Sequence, residues 1–285
     1  MRGILALIVT FIISAQLFGA IVHDTLYINR GMLTPLVGVD FAFFAYNDSP
    51  VFNPENERIH IEQGDSLYLT VINNDTIVHG TAVSETSATP VILNAGDTAT
   101  LGLYFANLGM AIVYDQSDYP SQFFMGLGAM IVVDNSSAAG FYWNIKEHQS
   151  KWNDSVANGY TVAWGDYYPD YFTINGKSNP WINQDPNARV VGNVGDTLHI
   201  YIANTGLAVH SLHFHGYHAK IIYSSKNSNH VGRLKDTFPL YSRESMILEL
   251  VPDKPGEYPV HDHNLVAVSG GNIYPNGMFL TMLIQ

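Results

Sequence analysis

Gly64-Asp65-Ser66-Leu67, followed by Asn73 and His79, returns 131 positions later as Gly195-Asp196-Thr197-Leu198, followed by Asn204 and His210. A second correspondence lies downstream. Asn107-Leu108-Gly109 with Val113-Tyr114-Asp115-Gln116 matches Lys254-Pro255-Gly256 with Val260-His261-Asp262-His263, and an apolar segment closes each copy, Met130 to Val133 and Phe279 to Ile284. Two copies of one unit therefore account for the chain. The segments within them are short, rich in β-branched and aromatic residues and bounded by Gly, Asn, Asp and Pro, as in DSLYLTVINND (65–75), TATLGLYFAN (98–107) and AMIVVD (129–134). That pattern predicts an all-β protein of sandwich type.

The repeat divides the chain into a first domain over 21–140 and a second over 161–285. A connecting segment over 141–160 separates them, and Trp143 and Trp152 give it ordered packing. The N-terminus, MRGILALIVTFIISAQLFGA, has one Arg, an apolar run and then small residues, which predicts a secretory signal peptide over 1–20 and a secreted or periplasmic mature protein. No later segment is apolar for long enough to span a bilayer. A formal charge of −12 with only 13 Lys plus Arg argues against a nucleic-acid partner, and the acidic surface would attract cations. The sequence contains no cysteine, so neither disulfides nor thiolate-ligated metals are available to it.

Histidine is where the chemistry concentrates. Residues 210–218 read HSLHFHGYH and residues 261–263 read HDH. Side chains alternate faces along a strand, so His213 and His215 share one face, as do His261 and His263. If the two segments are neighbouring strands, four neutral imidazoles converge, a donor set suited to copper or zinc. The same parity turns His210 and Asp262 away from the four and toward each other.

HSLHFHG resembles the H-x-x-H-x-H-G motif of the multicopper oxidase family, and HDH resembles the family's H-C-H. YFTINGKSNP (171–180) and GEYPVHDHNL (256–265) are similar to segments of its two-domain members, laccases and copper nitrite reductases. The resemblance implies two cupredoxin-like Greek-key β-sandwiches and a copper cofactor. It makes His213, His215, His261 and His263 cluster ligands and assigns His210 to a mononuclear copper. The family pattern would make His79 a cluster ligand too, whereas the repeat pairs it with His210; the sequence leaves both open. It also implies a homotrimer in which sites form between neighbouring subunits. The departures are specific: Asp262 stands where the family has its copper-ligating Cys, Ala267 where a further His would follow, and Tyr114 and Gln116 replace the His pair in the first copy. Met278 reads as core rather than as an axial ligand.

Three functions fit this reading. The first is a copper oxidoreductase with a mono- or dinuclear His site and a small-molecule oxidant or reductant, in which Asp262 moves protons catalytically. The second is a non-catalytic copper binder for storage or delivery. The third is a metal-free interaction module on the same scaffold.

Overall fold

A computed structural model describes residues 19–285. The expected signal peptide, apart from Gly19 and Ala20, lies outside the described residues. The chain forms two β-sandwiches. The first contains β1 (Ile21–Leu33), β2 (Phe41–Asn47), β3 (Arg58–Ile61), β4 (Ser66–Asn73), β5 (His79–Val83), β6 (Val91–Leu93), β7 (Thr98–Tyr104), β8 (Gly109–Asp115) and β9 (Gly128–Val133). Its sheets run in the orders β2-β1-β4-β7 and β3-β9-β8-β5-β6. The second contains β10 (Ala139–His148), β11 (Tyr171–Ile174), β12 (Val191–Gly192), β13 (Leu198–Asn204), β14 (His210–Phe214), β15 (Ala219–Ser224), β16 (Leu234–Lys235), β17 (Thr237–Leu240), β18 (Ser245–Leu250), β19 (Gly256–Asp262) and β20 (Phe279–Ile284). Its sheets are ordered β11-β10-β13-β18-β15-β16 and β12-β20-β19-β14-β17.

The repeated residues build the same corner twice. Gly64 and Gly195 take φ of +92° and +86°, a left-handed turn that favours glycine. The following Asp65 and Asp196 close that turn by accepting from the backbone N–H of Glu62 and Asn193. At the far end of the strand, the buried Asn73 side chain donates to the carbonyls of Ile77 and Leu93 and accepts from the N–H of Asp75. Asn204 does the same with Ala208, Leu240 and Gly206. The pairing of β1 with β4 and of β10 with β13 is parallel in both cases, with Ile28 opposite Asn73 and Ile145 opposite Asn204.

Each sandwich has its own apolar core. Leu26, Ile28, Phe44 and Leu69 belong to the first, and Trp143, Ile145, Ile200 and Phe214 to the second. A third core lies between them. Met110, Ile112, Met130 and Val132 of the first pack on Tyr201, Ala203 and Ile247 of the second. This explains why alternation is weak in β8, β9 and β13: both faces of these strands are covered, so every other position no longer meets water.

Residues 141–160, expected as a connecting segment, are largely built into the layers. The strand β10 runs through residue 148 beside β13, and helix α2 (Ser150–Ala157) packs on β2 through Asn153 and Asp154, which bond to the backbone of Ala42. Helix α1 (Ser121–Phe124) sets Phe123 and Phe124 at the junction. Met278 is core, as read from the sequence.

Asn204→Ala leaves two buried carbonyls and one buried N–H without their partner, so it should lower stability by about 3 kcal/mol in urea unfolding. A loss under about 1 kcal/mol would show that the corner does not depend on it.

Candidate metal centre

The antiparallel neighbours β14 and β19 bring the two His pairs together, with His213 directly opposite His261. Backbone bonds continue the pairing past both strand ends: His215 N–H donates to the Pro259 carbonyl, and His263 N–H to that of Ser211. The four rings form one group. Ring centres lie 4.9 Å apart for His213 and His215, 5.6 Å for His213 and His261, 5.4 Å for His213 and His263, and 5.1 Å for His215 and His261. His215 and His263 are exposed, while His213 and His261 are half-buried.

The hydrogen bonds behind the rings decide which nitrogen faces the group. Nδ1 of His261 lies 2.8 Å from the Asp262 carbonyl oxygen, which can only accept, so Nδ1 carries the hydrogen and Nε2 is bare. Nδ1 of His213 lies 2.9 Å from the Thr237 hydroxyl. That hydroxyl donates to Asp236, so it accepts from His213 and again leaves Nε2 bare. Nε2 of His215 and Nε2 of His261 are 3.0 Å apart. Without metal this is a hydrogen bond. Two nitrogens each bound to one ion at 2.0–2.1 Å would also be roughly 2.8 to 3.4 Å apart, so the pair has the spacing of two ligands. Among the described residues no three His, Asp or Glu side chains converge on one ion position. The rings therefore stand as a packed group with one hydrogen-bonded pair, His215 and His261, from which coordination by more than two needs rotation of exposed side chains.

His210 and His79 lie elsewhere. His210 is buried, with Nδ1 2.5 Å from Asp262 and Nε2 2.9 Å from Glu147. His79 is buried with Nδ1 2.7 Å from Asp115 and Nε2 3.0 Å from Asp75. With both nitrogens facing carboxylates, neither imidazole has a lone pair to offer, so the structure removes both from the candidate ligands. It also corrects the role expected for Asp262. Its carboxylate is buried on the side away from the four rings and accepts from His210 and from the N–H groups of Ser211 and Asn264.

The two buried clusters are equivalent by the repeat. Asp115 accepts from the N–H groups of Gly80 and Ser117, the counterparts of Ser211 and Asn264. Phe44 meets His79 edge-on, as Phe172 meets His210. Only the third carboxylate changes origin. Gly206 occupies the position of Asp75, and a Cβ there would come within 1.7 Å of Glu147 Oε2, so Glu147 fills the space that a longer residue 206 would take. The position of Glu147 in β1 is held by Arg30, which pairs with Asp75 at 3.6 Å. Glu147 also accepts from Tyr167 Oη and from the N–H groups of Leu207 and Ala208. Sequence reading missed Glu147 because it lies in the segment taken as a connector. The parallel pairing of β10 with β13, aligned on that of β1 with β4, is the signal that finds it.

In the first sandwich the positions matching the four ring residues are Ala82, Ser84, Tyr114 and Gln116. They carry no imidazole, and Tyr114 lies under Arg243 of the second sandwich. The four rings thus have no His counterpart in the other half of the chain.

The multicopper oxidase family model matches residues 157–283. That match falls in the second sandwich and the segment leading into it. The blue copper oxidase of Nitrosomonas europaea shares the fold of the whole described chain with a TM-score of 0.78 at 21% identity, covering 93% of this chain and 86% of its own. The copper nitrite reductase of the same organism gives 0.74 at 17% identity, covering 93% and 94%. The copper-containing nitrite reductase of Thermus scotoductus gives 0.72 at 19%, covering 93% and 62%. No curated protein matches by sequence.

Charge around the second sandwich follows from burial and pairing. Burial alone would lower the His210 pKa, but Asp262 and Glu147 outweigh it and raise it to about 9. Burial would raise that of Glu147, yet His210 and Lys146 bring it down to about 2. Lys146, donating to the carbonyls of Phe123 and Thr205 across the junction, is lowered to about 8 by burial. His148 is lowered to about 3 by burial and by the Lys146 charge, so it is neutral. His215 is lowered by burial and by His213 and His261, which favours the neutral form.

A group with a raised folded-state pKa contributes stability that is complete below its unfolded value and lost as pH rises through its folded value. For His210 that loss starts near pH 6.5 and ends near 9, and His79 shifts in the same direction. Lys146 opposes it only above about pH 8. Stability should therefore fall between pH 6.5 and 8, by about 1.4 kcal/mol per pH unit for each imidazole that stays charged only when folded. Urea titrations across that range check this, and a flat profile would contradict it.

Proposed function

We propose that the protein is an extracytoplasmic copper protein whose metal is held by His213, His215, His261 and His263, and that it carries out oxidoreductase chemistry on a small molecule without a thiolate-ligated copper. The observation that carries this reading is the tautomer arrangement: two backing hydrogen bonds leave Nε2 of His213 and His261 bare within a group of four imidazoles. The donor set fits copper, since imidazole nitrogen suits it and no cysteine is present. Bound there, copper would supply one-electron chemistry at a position open to solvent.

The chain's own contribution is orientation and proton placement. Asp236, through Thr237, fixes the His213 tautomer, and the Asp262 carbonyl fixes that of His261. Loading metal between His215 and His261 would require His215 to move its Nε2 proton to Nδ1, which its exposure to water allows. Two-domain members of the family assemble as trimers with sites between subunits; here the first sandwich offers Ala82, Ser84, Tyr114 and Gln116, so a copper site is drawn from the second sandwich alone. Extracytoplasmic placement rests on the N-terminal sequence. Among the described residues no helix is long and apolar enough to cross a membrane.

A second reading, reversible copper storage or delivery, is favoured by the exposure of His215 and His263, which leaves the metal position accessible for exchange. Oxygen consumption with a reductant distinguishes the two.

Cu(II) titration followed by electron paramagnetic resonance should show about one ion per chain with nitrogen hyperfine structure, and a His213→Ala, His261→Ala double variant should weaken binding at least about 100-fold. Equal binding by that variant, or none by the unmodified protein, would contradict the assignment.

A further inference from the structure

The same carboxylate and imidazole arrangement occurs in both sandwiches, yet only one copy has metal-ligand candidates beside it. Asp115 and Asp262 each occupy the centre of a three-residue strand end, Tyr114-Asp115-Gln116 and His261-Asp262-His263. Each points inward while its two neighbours point outward. One carboxylate oxygen faces the buried imidazole. The other accepts from a backbone N–H of the adjacent strand, Gly80 or Ser211, and from one two residues downstream, Ser117 or Asn264. In the second sandwich the same atoms hold what the proposed copper site depends on. The bond to Ser211 N–H ties β19 to the strand that carries His213 and His215, and the bond to Asn264 N–H fixes the turn that carries His263.

We infer that Asp262, braced by His210 and Glu147, is the positioning residue of the four-imidazole centre: it sets the separation of the two strand ends and the direction in which His261 and His263 project. This rests on the copper reading above. The bracing is directional. His210 is held from the other side by Glu147, which is itself fixed by Tyr167 Oη and two backbone N–H groups, so the imidazole cannot follow the carboxylate if it shifts. Tyr167 packs on Trp152, Trp164 and Phe124, so the brace ends on the aromatic junction between the sandwiches.

The first sandwich supplies an internal control. Asp115→Ala and Asp262→Ala remove equivalent carboxylates from equally buried clusters and should lower the melting temperature by similar amounts. In Cu(II) competition titrations, Asp262→Ala should weaken affinity about 10- to 100-fold, the range seen when a group supporting metal ligands is lost, while Asp115→Ala should leave it within about twofold. Asp262→Asn keeps an oxygen for Ser211 and Asn264 and should retain affinity within about threefold although it loses the charge pairing. In the metal-free protein, Asp262→Ala should shift the ring resonances of His261 and His263, and Asp115→Ala should not. Equal loss of affinity in both alanine variants would mean that stability alone is read out and would overturn the inference, as would unchanged affinity in Asp262→Ala. If the unmodified protein fails to bind Cu(II), the copper reading falls, whereas unmoved ring resonances in metal-free Asp262→Ala sink the positioning role by itself.

Discussion

An imidazolium enclosed by two carboxylates is stable inside a protein only if all three groups are held, because each buried charge left unpaired would cost several kcal/mol. His79 with Asp75 and Asp115, and His210 with Glu147 and Asp262, meet that condition by recruiting backbone N–H groups as well. Each cluster locks the strand that carries the His to the strand that carries the Asp. Those are the strands β5 and β8 in the first sandwich and β14 and β19 in the second, and the loops beyond them inherit their spacing.

From this constraint the rest follows in order. Glu147 reaches its cluster from β10, so the strand that opens the second sandwich cannot act as a loose tether. Its neighbour Lys146 is drawn into the junction, where it donates to carbonyls from both halves. The third apolar core covers the outer faces of β8, β9 and β13 and makes the junction continuous. On the far side of β14 and β19 lies the group of four imidazoles, two of which, His213 and His261, gain their tautomers from Thr237 and from the Asp262 carbonyl. The carboxylate-paired histidines are thus inside and the candidate ligands outside.

Much of this was legible in the sequence. The repeat anchored on Gly64 and Gly195 gave the two sandwiches because Gly, Asp and Asn each have a fixed task at the strand corner. Two-residue parity separated His213, His215, His261 and His263 from His210 and Asp262, and it held because backbone pairing continues past the ends of β14 and β19 to His215 and His263. The third carboxylate was not legible. Glu147 lies 63 positions from His210, in a segment whose Lys, Glu and His look like a polar connector. They are buried instead, since each finds a specific partner, and partner satisfaction is invisible to composition. The ambiguity over His79 had the same source: its nearness to Asp75 in sequence and to Asp115 in space outweighs any family spacing.

Two carboxylate partners separate the buried histidines from the ring group, and ring-nitrogen NMR measures that difference directly. At pH 7.5, without metal, His210 should show both ring nitrogens protonated and slow to exchange, while the neutral rings of His213 and His261 should carry their hydrogen on Nδ1 and leave Nε2 bare. A bare nitrogen on His210, or a hydrogen on Nε2 in the neutral form of His213 or His261, would contradict the division on which both the fold's locking and the candidate metal centre rest.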